Sequence, residues 1–230
     1  MKVIRTLAAA PAHRRALILS SLAALACAGL APAAAQESGL SQEKVKPLLR
    51  VMAASDAAVQ ADEKAFHDEF EATEISKLMA LKGVTPASPI LDHCDRISAL
   101  ADRADAIGKR YPDYLAIARK QGEAEVAANQ LGPADVDAYM EGMAGQQARH
   151  EQGWALTNKM TREVAALCTV LARRHWRIGS AGQIEVDDPD KAELINLLES
   201  VQADGQQLAV LEQERQKVVD EGQQILSKAR

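Results

Sequence analysis

The chain has 230 residues, 27 Lys+Arg against 32 Asp+Glu, and a formal charge of −5, with only 3% aromatic residues. An acidic chain lacks the electrostatic footprint that nucleic-acid binding needs, and its field opposes anionic membrane surfaces. Nucleic-acid partners are therefore not expected.

Residues 1–35 read as an export signal. Lys2, Arg5, Arg14 and Arg15 precede an apolar run from Ala16 to about Ala31, followed by the small-residue exit Ala33-Ala34-Ala35-Gln36, with no acid anywhere. Discounting its alanines, the run is about half the roughly 20 residues of a membrane span, so cleavage after Ala35 is expected instead of anchoring. Cys27 leaves with the signal: Leu25 stands two residues before it, whereas a lipobox has its leucine three before. Arg14-Arg15-Ala16-Leu17-Ile18 loosely resembles a twin-arginine signal, and an ordinary basic n-region is the plainer reading. Cleavage would leave 195 residues (36–230) with 23 Lys+Arg, 32 Asp+Glu and a charge of −9, suited to one helical-bundle domain in the periplasm or outside the cell.

Ala, Leu, Glu, Gln, Lys and Arg dominate the rest, and runs of alternating Val and Ile are missing, so an all-α fold is predicted: an elongated bundle of four long helices. The first helix spans 41–82 and stops at Gly83. The second has Ser88 as N-cap and Pro89 in its first turn, runs to about Gln130, and is broken near Pro112, whose ring removes a donor and crowds the preceding turn. Gly132-Pro133 opens the third, predicted to reach Ile178. An irregular stretch from Gly179 to Asp188 follows, and Asp188-Pro189 starts a fourth helix that runs nearly to Arg230. Helical spacing puts Val136, Met140, Met143, Trp154, Met160, Val164, Leu167 and Leu171 on one stripe of the third helix. The stripe of the fourth is Leu194, Leu198, Val201, Gly205, Leu208, Val218, Gly222 and Ile225, where the glycines would allow close approach of a partner backbone.

Two cysteines remain after export. In an antiparallel hairpin turning at Leu131-Gly132, Cys94 lies 37 residues before Leu131 and Cys168 lies 37 after it, at the same height. A Cys94–Cys168 disulfide is expected, and the C-x-x-C spacing of redox-active pairs is absent.

Catalytic motifs are not found. There is no G-x-S-x-G, no H-E-x-x-H, no phosphate loop and no C-x-x-C-H, so no cofactor is called for. Glu63, His67 and Glu71 share one helix face at i, i+4, i+8 and form a weak metal candidate against the plainer reading of a solvated face. Arg173, Arg174, His175, Trp176 and Arg177 stand out from the acidic background. As cations at a helix C-terminus they complement its dipole; as a site they would dock an anion or an acidic partner loop, with Trp176 offering a flat face. Tyr111-Pro112-Asp113-Tyr114 anchors the helix break in the core or forms an aromatic corner for a partner.

The resulting expectation is an exported, non-catalytic interaction protein: an adaptor, a chaperone-like binder or a component of an envelope or secretion assembly. Its partners would be envelope or secreted proteins, or a second copy bound through the C-terminal helix, and no transmembrane segment remains after cleavage. The alternatives are a periplasmic carrier of a small ligand or metal, and an enzyme whose site sequence spacing does not flag.

Overall fold

A computed structural model describes residues 42–81, 83–179 and 184–228, with side chains described for 44–81, 83–179, 184–187, 189–214 and 216–217. The export signal at 1–35 lies outside these residues. The protein is predominantly helical, as its composition predicts, and among the described residues no helix is long and apolar enough to cross a membrane. The order is α1 (Gln42–Ala72), α2 (Ile75–Ala80), a 3-10 turn (Pro89–Asp92), α3 (Cys94–Gly108), α4 (Tyr111–Ala127), α5 (Pro133–Ala144), α6 (Gln147–Ala172), β1 (Trp176–Ile178), β2 (Ile184–Val186) and α7 (Asp188–Lys228).

The first three predicted helices are each divided, for local reasons. Thr73 Oγ1 donates to the Phe70 carbonyl (2.8 Å) and Glu74 takes a left-handed conformation (φ 53°), which ends α1. Ser88 does not cap an α-helix: its Oγ accepts the Thr85 amide (2.8 Å), so Pro89 opens a 3-10 turn and α3 begins at Cys94. At Pro112 the second helix is split, not kinked. α3 ends at Gly108, and α4 starts at Tyr111 with the proline in its first turn, where the missing N–H has no intrahelical role. The third is broken at Gly145-Gln146 and stops at Ala172, short of the predicted Ile178. The fourth starts at Asp188 as expected.

The described residues form two compact units whose boundaries all fall inside helices. One comprises Phe66–Asp105 and Ala155–Ala209. Its core gathers Ile97, Leu100, Val164, Leu167, Leu171 and Leu194, all at most 2% exposed. Cys94 and Cys168 are joined by a disulfide (Cα–Cα 5.6 Å), tying the start of α3 to α6 as the hairpin symmetry predicts. On α7, no described atom of the chain itself lies within 4 Å of where a Cβ on Gly205 would sit.

The other unit comprises 42–65, Ala106–Trp154 and 210–228. Val51, Ala118, Leu131, Val136, Tyr139, Met140 and Met143 form its larger core cluster. Here a glycine does bring helices together: a Cβ on Gly122 of α4 would stand 2.6 Å from Val136 Cγ1 of α5. Glu125, 6% exposed, is held by a bidentate pair with Arg50 (2.7 and 2.6 Å), which keeps its carboxyl below the usual carboxylate range despite burial.

Candidate functional site

The Arg173–Arg177 segment leaves the C-terminus of α6, where the Arg173 and Arg174 amides donate to the Val170 and Leu171 carbonyls (3.2 and 3.0 Å). Arg174 adopts a left-handed conformation (φ 60°), and the chain turns into a two-stranded antiparallel hairpin pairing Trp176 with Val186, Arg177 with Glu185 and Ile178 with Ile184. Trp176 is 6% exposed, and its Nε1–H donates to the Leu171 carbonyl (2.7 Å) at the end of α6, which also takes the Arg174 amide (3.0 Å). The expected flat face for a ligand is therefore absent: an amphipathic side chain here serves the helix end.

Each cation of the segment meets a carboxylate. Arg173 Nη1 donates to Asp190 Oδ1 (2.7 Å) and Glu193 Oε2 (2.9 Å), Arg174 Nη2 to Asp92 Oδ1 (2.7 Å), and Arg177 Nε to Glu185 Oε2 (2.8 Å). His175 Nδ1 lies 3.0 Å from Asp190 Oδ2, and the Asp187 amide donates to the His175 carbonyl (3.0 Å). Asp190 is 5% exposed; the hydrogen bond from Arg173 holds its carboxyl below the usual range, with His175 adding to the pull against burial. The same contacts raise the Arg173 guanidinium above its ordinary value. Four elements are thus fastened at one place: the end of α6, the hairpin, the start of α7 and the 3-10 turn carrying Asp92. Chemically this is a lock.

The metal candidate is not assembled. His67 Nε2 lies 3.6 Å from Glu71 Oε1, Glu63 is buried, and among the described residues no three His, Cys, Asp or Glu side chains converge to hold an ion.

Tyr111 and Tyr114 are 5% and 0% exposed, so they anchor the break in the core and form no aromatic corner for a partner. Tyr114 Oη donates to Asp62 Oδ2 (2.6 Å), whose other oxygen takes Arg110 Nη1 (2.6 Å). Tyr111 Oη donates to the Met143 carbonyl (2.7 Å). Burial pushes the Tyr111 phenol up to about 12, and Tyr114 rises as well through burial and the bond to Asp62.

Sequence reasoning passed over His150, which is 2% exposed beside these rings. A signal was present: His150 follows Met143 by seven residues and precedes Trp154 by four, so it occupies a position on the apolar stripe. In the same unit a shallow open depression is lined by Leu115, Ala116, Arg119, Asp137, Met140, Glu141 and Ala144. It brings no set of convergent polar groups, since Arg119 is engaged with Asp137 (3.6 Å).

Comparison with protein-family models, with curated proteins and with solved structures finds no match to this chain.

Proposed function

We propose that the protein is exported and acts as a non-catalytic helical interaction protein, an adaptor, chaperone-like binder or assembly component of the cell envelope. The observation that carries this reading is the fastened hairpin. A disulfide-stapled helical unit devotes Arg173, Arg174, His175 and Trp176 to holding a two-stranded ribbon that displays Ile178 (42% exposed) and Arg177. Among the described residues that ribbon has no third strand, and an outer strand edge is a ready template for an extended partner segment. Residues 1–35 supply the support for export, and the acidic balance of the remainder favours partners with basic or apolar contact segments. Self-association through α7 belongs to the same reading. The carrier alternative is weaker, because its cations at 173, 174 and 177 are already paired.

A photo-crosslinking residue placed at 178, with a second at Ser98 on the exposed face of α3 as control, tests this in the native host. The reading expects defined protein adducts from position 178 that are absent from position 98. Adducts equally frequent at both positions, or none at either, would remove the hairpin from the account.

A further inference from the structure

We infer that the two facing helix breaks of the second unit form an acid-sensitive joint, fastened while His150 is neutral and loosened when His150 takes up a proton. One break separates α3 from α4 at Lys109-Arg110, and the other separates α5 from α6 at Gly145-Gln146. Each break leaves a helix C-terminus whose carbonyls lack their i+4 donor: Ile107 takes the Arg110 amide (3.0 Å) and Met143 the Gln146 amide (2.9 Å), and each keeps a second lone pair for further donors. The two breaks supply them reciprocally. His150, in the first turn of α6, has Nε2 at 3.2 Å from the Ile107 carbonyl at the end of α3, and Tyr111, at the start of α4, donates to the Met143 carbonyl at the end of α5 (2.7 Å). Ile107 is an acceptor, so the Nε2–H tautomer is required. The two capping rings lie 5.1 Å apart between centroids, with Tyr114 at 5.7 Å and Trp154 at 6.3 Å from His150. Trp154 also packs tightly under the end of α3: a Cβ on Gly108 would stand 2.8 Å from its Cβ. Four helix ends therefore meet at one imidazole.

Among the described residues, the charged and titratable groups acting on this ring and its neighbours come from α1, α4, the break before it and α6. α1 contributes Asp62, bound to Arg110 and Tyr114, as well as Glu63 acting on Tyr114 and Asp56 acting on Tyr111. α4 contributes the two phenols and the break before it Arg110; α3 contributes the Ile107 carbonyl and α5 the Met143 carbonyl; α6 itself adds Glu151. Burial drives the imidazole below its ordinary range, and this outweighs the opposite pull of the Ile107 carbonyl, Glu151 and Asp62. The linkage then has one sign. In the unfolded chain the imidazole binds its proton near its ordinary value of 6.5 and in the folded joint it does so only at lower pH, so stability is full above 6.5 and is lost as pH falls below it.

Hydrogen exchange of the full chain at about pH 7.5 and about pH 5.5, corrected for the intrinsic pH dependence, tests the joint. In the wild-type protein, peptides covering 106–114 and 140–154 should lose protection in acid, by at most about tenfold at one unit below the ordinary imidazole value of 6.5. A triple variant H67Q/H93Q/H175Q should respond in the same way, and His150→Gln should show no acid response in these peptides. An unchanged acid response in H150Q, or none in the wild type, would overturn the inference. Imidazole NMR of the wild-type protein provides a test that needs no variant. His150 should titrate below 6.5 and the Tyr111 amide should follow the same curve; titration at or above 6.5, or an indifferent Tyr111 amide, overturns the inference.

Discussion

Replacing Gly122 by alanine sets two effects of known size against each other. In an exposed helix the change would stabilise the protein by about 1 kcal/mol, because glycine is the poorest helix former after proline. At this position the new Cβ would stand 2.6 Å from Val136 Cγ1 and 3.3 Å from Cγ2, and the Val136 Cβ itself is only 3.5 Å away. A β-branched side chain anchored that closely yields only by moving its helix, and overpacking of this kind costs about 1–3 kcal/mol. Overpacking offsets or exceeds this gain, leaving a net loss of up to about 2 kcal/mol, or up to about 1 M in urea midpoint for a slope near 2 kcal/mol/M. Gly205→Ala is the control, since no described atom lies within 4 Å of its Cβ position. It should raise the midpoint by up to about 0.5 M. Urea unfolding followed by circular dichroism and tryptophan fluorescence reads both variants. Should Gly122→Ala raise the midpoint as much as Gly205→Ala does, the close approach of α4 and α5 is refuted. Should Gly205→Ala instead shift a dimer towards monomer, a second copy packs on α7.

Other expectations follow from the same contacts. Replacing both Cys94 and Cys168 by alanine opens a crosslink with a sequence separation of 74, which the loop-entropy relation values at about 4.5 kcal/mol; a midpoint loss equivalent to less than about 1 kcal/mol would show that the staple contributes little. Tyr111→Phe removes one of the two donors to the Met143 carbonyl, the other being the Gln146 amide, and should cost about 1 kcal/mol, again read from the urea midpoint, with no effect telling against the reciprocal caps. Arg173→Ala removes the main cause of the lowered Asp190 pKa. A depressed carboxylate pKa contributes stability above the unfolded value that is lost as pH falls through the folded one, so the acid unfolding of this variant, followed by Trp176 fluorescence, should begin at a higher pH than in the wild type. An unmoved acid transition would refute the lock.

The legible part of the fold was its burial pattern. All eight stripe residues from Val136 to Leu171 are buried, and the expected Cys94–Cys168 disulfide is present. Local competition was illegible. Thr73 and Ser88 spend their hydroxyls on neighbouring backbone groups, which no periodicity reports. The hairpin was missed because three-residue strands are too short to show alternation; only Ile184-Glu185-Val186 carried a trace of it. The basic cluster was correctly singled out as unusual, but its partners Asp92, Asp190 and Glu193 lie 15–82 residues away in sequence and only the fold brings them in. His150 was overlooked for a related reason, since a polar residue on an apolar stripe shows its partner only when the opposing helix end is in place.

The measurement that bears most directly on the central claim is native mass spectrometry of the protein purified from its own host. The account predicts a polypeptide beginning at Gln36 and lacking two hydrogens at Cys94 and Cys168, found with a second copy or with another polypeptide bound. A chain that still carries residues 1–35, or one that retains a small non-peptide mass through gentle activation with no polypeptide partner, would contradict it.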